Sequence, residues 1–181
     1  MRSDFLKRFR RDDRGVSAVE FALIAPLIVL MYAGTVQVCQ AFMSDKRAGH
    51  AASIVADMVA QNSSLEQSQV DNVLGVGGRI MRPFPPDNLT LRVTSVTDNS
   101  GQAVVDWSRT QGSASALAAW SEGDEVEVPE GLLRPGESLI IVDSRYAYQP
   151  LIQARDVVTP AHFNHTAYYE PRFGSVACRD C

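Results

Sequence analysis

A long apolar run near the amino end constrains this chain of 181 residues more than any other feature. It covers residues 16–38, where the clearly polar residues are Ser17, Glu20, Thr35 and Gln37. As a helix with a rise of about 1.5 Å per residue, the run would be roughly 34 Å long, enough to cross a hydrocarbon core of ~30 Å. The sequence therefore predicts one transmembrane helix over residues 16–40, and the remaining length suits one small soluble domain.

Charge is distributed unevenly on the two sides of this run. Residues 1–15 hold six basic and three acidic side chains, whereas the rest of the chain holds 11 basic and 18 acidic ones. Cationic residues beside a first apolar segment keep that side in the cytoplasm, so we expect a single-pass inner-membrane protein with a periplasmic carboxyl-terminal domain. The apolar run implies membrane lipid as a partner. An acidic domain without clustered Lys and Arg argues against binding to nucleic acid.

Glu20 distinguishes between interpretations of the apolar run. A cleaved secretory signal would fit the basic lead and the short uninterrupted core at residues 21–33, but it would be apolar at Glu20, and Cys39-Gln40-Ala41 is a weak cleavage site. A plain uncleaved anchor explains the length and the charge bias but not the carboxylate. An ionisable group inside a membrane helix is costly, so it points to a function.

The junction of the basic stretch and the apolar run carries a recognisable motif. The string Arg14-Gly15-Val16-Ser17-Ala18-Val19-Glu20 and its continuation to Pro26 resemble the amino-terminal signature of the TadE-like family, minor pseudopilins of the Tad (tight adherence, Flp-type) pilus. The resemblance implies that a prepilin peptidase cleaves between Gly15 and Val16. It implies a cytoplasmic leader, residues 1–15, with the charges Arg10, Arg11 and Arg14. The implied partners are the peptidase, other Tad pilins or pseudopilins, and the inner-membrane assembly platform.

Cleavage would give Glu20 a role in assembly. The new α-amino group of Val16 would be largely protonated at neutral pH, and burying it alone would be costly. A carboxylate one helical turn away can compensate that charge, and the resemblance implies that the pairing is between subunits. The alternative stays open that Glu20, only about 7 Å into the segment, is hydrated at the membrane surface.

The residues after the apolar run predict an α+β domain. Apolar positions at steps of three and four predict that the helix continues as an amphipathic region within residues 41–82; they are Ala48, Ala51, Ala52, Val55, Met58 and Val59. A capping box, Ser63 with Glu66 or Ser64 with Gln67, would start a second helix, and Gly75, Gly77 and Gly78 would weaken its end.

An antiparallel sheet is expected within residues 83–181. Alternation predicts strands at residues 89–94 and 103–107, joined by a turn at residues 98–101, and a central strand at residues 138–148. We also expect a short edge element at residues 126–128, a short helix near residues 116–120 and a last strand at residues 166–169.

The titratable and sulfur-containing residues do not form a convincing catalytic site. In an oxidising compartment Cys178 and Cys181 are a plausible local disulfide, with Cys39 as the odd thiol. His162 and His165 are interpreted as surface residues of a loop rather than metal ligands. We therefore expect no enzyme activity, metal or cofactor, although a membrane-tethered thiol oxidoreductase using the two carboxyl-terminal cysteines stays open, as does an uncleaved, membrane-anchored interaction domain.

Overall fold

The structure, a computed structural model, describes residues 16–113, 115–150 and 161–181. It confirms the α+β class, with a long amino-terminal helix and an antiparallel sheet. Helix α1, Val16–Ala60, has 45 residues and runs through Pro26 without ending. The chain divides into two compact units, residues 1–40 and 41–181, and α1 contributes to both. The regions predicted as helical (41–82) and sheet-forming (83–181) therefore lie in the same unit.

The second unit adds one further α-helix and seven strands within the described residues. In chain order they are β1 Ser64–Glu66, α2 Gln67–Ile80, the 3-10 turn Pro86–Asn88, β2 Leu89–Asn99, β3 Gln102–Gln111, β4 Glu125–Val126, β5 Ser138–Tyr148, β6 Ala161–Tyr169 and β7 Ala177–Arg179. Five strands form the antiparallel sheet in the order β4-β3-β2-β5-β6, and β1 pairs with β7 in parallel. The strand predicted as central, β5, has a neighbour on each side.

The sheet separates two apolar clusters. On one face, which we call the helix side, Val93, Val142 and Tyr146 pack with the buried residues of α1. On the other face, the outer side, Leu139 and Ile141 pack with Val96, Val105 and Ala103. Successive residues of β5 alternate between the two clusters because side chains in a strand point to opposite faces.

A β-bulge in β3 changes which side chains reach each face. Trp107 lies opposite Ser95 and Val105 lies opposite Val96, so Asp106 is the extra residue. Because one residue is inserted, Val105 faces the outer side while Trp107 faces the helix side. The Asp106 carboxylate accepts hydrogen bonds from the hydroxyls of Ser95 and Thr97, at 3.0 and 2.8 Å. The strand predicted at 103–107 is confirmed, but it continues to Gln111 only through this bulge.

The short helix predicted near residues 116–120 is wrong, since the chain there forms turns and irregular structure. Arginines of the sheet bind its backbone carbonyls: Arg145 donates to Ala116 at 3.2 Å, and Arg92 donates to Ala118 at 2.8 Å. Trp120 also lies against the Arg92 guanidinium, 4.9 Å from its ring centroid. The segment is thus held on the outer side by contacts to the sheet rather than by helical hydrogen bonds.

The start of α2 also differs from the prediction. The capping pair is Glu66 with Gln69, where the Gln69 side-chain oxygen accepts from the Glu66 N–H at 2.8 Å. The two predicted capping pairs are wrong because residues 64–66 form strand β1, which pairs with β7, so the helix begins later. The helix continues through Gly75, Gly77 and Gly78 and ends at Ile80. Gly77 lies against Leu91 of the sheet, where an added Cβ would collide with the Leu91 side chain, so this glycine permits close helix–sheet packing.

Candidate assembly interface

The first half of α1, residues 16–40, is apolar around its circumference and has no core of its own. Among the described residues, α1 is the helix long and apolar enough to cross a membrane, and its most apolar 18-residue window is 0% buried. The exposed large side chains are Val16, Val19, Phe21, Leu23, Ile24, Leu27, Ile28, Val29, Leu30, Met31, Tyr32 and Val38. Keeping these in water would cost on the order of 20 kcal/mol relative to an apolar environment. A core helix of a soluble protein would be mostly buried, and this exposed helix could instead span a membrane.

The cleavage motif predicted from the sequence is partly described. Val16 is the first described residue, and Gly15, Arg10, Arg11 and Arg14 lie outside the described residues. Val16 and Glu20 are both exposed and helical. They are four residues apart, so they share one face of the helix at a separation of about 6 Å along its axis. A charge at the Val16 backbone nitrogen and the Glu20 carboxylate would therefore lie within one helical turn.

One other polar side chain of the apolar half, that of Thr35, is satisfied within the helix. The Thr35 hydroxyl donates to the Met31 carbonyl at 2.9 Å, which is the usual way a threonine is satisfied in a membrane helix. Pro26 has no backbone N–H to donate, and membrane helices tolerate that loss. Cys39 is a free, exposed thiol.

The second half of α1 is built differently. Its buried residues are Ser44, Ala48, Ala51, Ala52, Val55, Ala56, Val59 and Ala60. This stripe confirms the predicted amphipathic continuation, although Met58 is only half-buried. Small side chains let the helix backbone approach the sheet closely, and the Ser44 hydroxyl is satisfied by the Ala41 carbonyl at 2.8 Å.

A polar contact between α1 and β6 was missed by the sequence analysis. His165 Nε2 lies 2.7 Å from Asp45 Oδ1, and both side chains are about three-quarters buried. The imidazole packs on Gly49, where an added Cβ would lie 3.2 Å from Nδ1. The prediction of a loop for His162 and His165 is wrong, because β6 begins at Ala161. The alternation of apolar and polar residues in this segment is the signal that would have extended the strand predicted at 166–169.

The carboxyl-terminal segment is joined to the end of α1. The Arg172 N–H donates to the Ala60 carbonyl at 2.9 Å, and the Ala177 N–H donates to the Ser63 carbonyl at 3.1 Å. The buried Trp107 indole N–H donates to the Val176 carbonyl at 2.7 Å. A disulfide joins Cys178 to Cys181, with 5.7 Å between their Cα atoms. The pair lies at the end of β7, whereas redox-active Cys pairs typically stand at the start of a helix.

No group of three or more His, Cys, Asp or Glu residues positioned to hold a metal ion occurs in the described ranges. Burial raises the pKa of Tyr146 and Tyr148 above the ordinary value of 10.0, and burial together with the Asp143 charge raises that of Tyr168. These phenols therefore stay neutral and serve packing.

Comparisons with known proteins bear on the amino-terminal part of the chain. Neither the comparison with curated proteins nor that with solved structures gave a match. A family model described as TadE-like protein matches residues 15–57. The matched range begins at Gly15, contains Glu20 and ends in the packed half of α1, so the sheet lies outside it. Residues 15–57 of this chain are thus similar to the TadE-like family, which is the family that the sequence motif predicted.

Proposed function

We propose that this protein is a minor pseudopilin, or pilus-assembly protein, of a Tad-type pilus, and that it acts through helix–helix assembly rather than catalysis. Its family membership suggests a Tad pilus-associated protein. The observation that carries the finer proposal is the exposed apolar half of α1 with its single carboxylate, Glu20. The chain starts as a single-pass inner-membrane protein, with its amino end in the cytoplasm and residues 41–181 in the periplasm.

The first step is removal of the leader. A prepilin peptidase hydrolyses the Gly15–Val16 peptide bond on the cytoplasmic side, and the whole of α1 stays with the mature protein. Glycine at the cleaved bond has no Cβ, which lets the backbone enter a narrow protease cleft. The product has a protonated α-amino group at the start of α1, on the same face as Glu20.

The second step is packing of the apolar half of α1 against equivalent helices. Between helices in lipid the hydrophobic effect gives little drive, so association depends on side-chain packing and on polar pairs. The α-amino group of Val16 in one copy and the Glu20 carboxylate of a neighbour form such a pair. Each charge alone would be expensive to bury, so the pair fixes how far one helix is shifted along the next.

Intact mass spectrometry of membrane-purified protein tests the cleavage. In cells with the peptidase we expect a mature chain that starts at Val16, and in cells without it a chain that starts at Met1. Gly15→Val should block processing because its side chain occupies the space that the cleft requires. Gly34→Ala is the matched control, since an added Cβ there meets nothing within 4 Å, and it should be processed normally. A chain starting at Met1 in peptidase-containing cells would contradict the proposal and favour an uncleaved, membrane-anchored interaction domain.

Glu20→Gln tests the assembly step separately from the cleavage. We expect the variant to be processed but to co-purify with differently tagged copies at least tenfold less than wild type does. Thr35→Val removes a polar group from the same half of α1 without removing a charge, and it should leave co-purification unchanged. If the Glu20→Gln variant co-purified with tagged copies as well as wild type does, the proposed pairing would be wrong, and Glu20 would be a hydrated residue at the membrane surface.

A further inference from the structure

The two edges of the sheet carry opposite features. At one edge β4 is two residues long, and Glu125, Glu127 and Glu130 lie with Asp98 around a shallow cavity there. At the other edge β6 has nine residues and contains no Pro, Asp, Glu, Lys or Arg. In the described part of the chain, β6 pairs with β5 alone. Exposed edges are usually protected by shortness, charge or proline, so β6 is unusual in lacking all three.

A groove that contains Lys46 runs beside the edge of β6 that has no strand partner among the described residues. Lys46, His50 and Ser53 of α1 form one wall, and residues 166–169 of β6 form the other. Gly49 and His165 line it between these walls. Asp45 is paired with His165, and both Lys46 and His50 are exposed. Among the residues that line the groove, Lys46 carries a formal charge and none is Asp or Glu, so the groove offers a partner one ammonium group.

We propose that the acidic β4 edge of a second copy of this chain docks on the β6 edge and continues the sheet from one copy to the next. Residues 125–128 of the incoming copy lie along β6, and their carboxylates enter the groove beside Lys46 and His50. Charge complementarity favours this occupant, because the β4 edge is acidic and the groove at the β6 edge holds the Lys46 ammonium group.

The strand directions are compatible with such a contact. Each neighbouring pair in the sheet is antiparallel, so β4 and β6, four positions apart, run in the same direction. A copy shifted sideways without inversion therefore places its β4 parallel to β6. The chain already forms a short parallel pair of this kind between β1 and β7.

The side-chain faces match as well. Val126 and Val128 pack in the outer cluster, so by alternation Glu125 and Glu127 point to the helix side. The groove with Lys46 and His50 also lies on the helix side, where α1 packs. In a continuous sheet the carboxylates thus lie on the same side as Lys46.

The contact joins two different surfaces of the chain, so it is head-to-tail. Such contacts add copies in one direction and form a row, whereas a symmetric dimer would be closed. It involves few residues and is weak alone, and confinement of the copies to one membrane raises their effective concentration. It goes beyond the proposed function, because it needs neither leader removal nor packing of the apolar half of α1.

Carbodiimide cross-linking of the full-length protein in membranes tests the proposal, since this reagent joins an amine directly to a contacting carboxylate. Lys46 is the only lysine after residue 15, which makes the products simple to identify. In a mixture of unlabelled and ¹⁵N-labelled protein we expect peptides linking Lys46 of one isotope to Glu125 or Glu127 of the other. The two edges of one sheet are about 19 Å apart by strand spacing, which excludes the same link within a chain.

Two variants that retain all the reacting groups give the control. Ser53→Glu adds a negative charge to the groove about two helical turns from Lys46, beyond the i, i+4 spacing at which the new carboxylate would itself react with Lys46, and should lower the yield of hybrid peptides at least threefold. His162→Glu adds the same charge to β6 on its outer face and should leave the yield unchanged. Absence of hybrid peptides, equal yields in the two variants, or Lys46 linked mainly to other carboxylates would overturn the proposal. Intact mass of the same samples reports leader removal, so a failure of the edge contact is distinguishable from a failure of processing.

Discussion

The two halves of α1 form one continuous helix but meet different surroundings. Residues 16–40 carry large side chains such as Phe21 and Leu30, each 70% exposed, whereas the buried positions of residues 41–60 are mostly alanine. A helix that is apolar all round must be covered by something outside its own chain. A helix with small residues on one face can lie close to a sheet. Both the all-round apolar pattern and the one-sided alanine pattern therefore predict a helix. The size of the apolar side chains and their distribution around the helix axis indicate what covers it.

Charges in the middle of the apolar half should have the largest effect. Leu27→Lys with Leu30→Lys places two ammonium groups near the centre of the span, at a cost of about 6 kcal/mol on insertion scales. We expect the protein to be lost from the membrane fraction that resists alkaline carbonate extraction. Leu27→Met with Leu30→Met keeps the surface apolar and is the control. Retention of the lysine variant in that fraction would show that residues 16–40 do not span the bilayer.

Enlarging a buried alanine should affect only the packed half. Ala56→Leu inserts three carbon atoms where α1 contacts the sheet, and overpacking of this kind typically costs about 1–3 kcal/mol. Urea unfolding of the full chain in detergent, followed by tryptophan fluorescence, should show that loss. Ala22→Leu makes the same change on the exposed half and should leave the unfolding free energy unchanged. Equal effects of the two substitutions would remove the distinction between the halves.

The smallest expected effect is a difference in unfolding free energy between Gly→Ala substitutions at the two glycines of α1, Gly34 and Gly49. Replacing a helical Gly with Ala stabilises by about 1 kcal/mol unless the new methyl group is obstructed. At Gly49 the methyl group would press on the His165 ring, whereas at Gly34 it meets nothing. We therefore expect Gly49→Ala to stabilise the protein only in a His165→Ala background, with a coupling of about 1 kcal/mol in the unfolding free energies. Gly34→Ala should show no coupling to His165→Ala.

Local sequence patterns were sufficient for the main elements of the fold. The apolar run and the alanine stripe predicted both halves of α1, and apolar residues on both faces predicted that β5 lies inside the sheet. The motif from Arg14 to Glu20 predicted the family that matches residues 15–57. These signals are contained within one helix or one strand, so they need no knowledge of distant partners.

Contacts between distant residues account for the failures. Residues 64–66 become a strand because residues 177–179 lie beside them, which moves the capping pair to Glu66 and Gln69. The segment near Ala118 is not helical because Arg92, 26 residues earlier, binds its carbonyl. The partner of Asp45 is His165, 120 residues later. No window of a few residues contains both members of such pairs.

By itself the sequence determined which stretches are apolar, how they repeat and where the family motif stands, because side-chain size and polarity act through local periodicity. The tertiary structure decided which faces are covered and where the β3 bulge changes the facing of its side chains. It also decided that the sheet ends in one acidic edge and one uncharged edge beside a groove that contains Lys46. Those properties arise when strands far apart in sequence become neighbours, since pairing and burial depend on the register of the whole sheet rather than on any single segment.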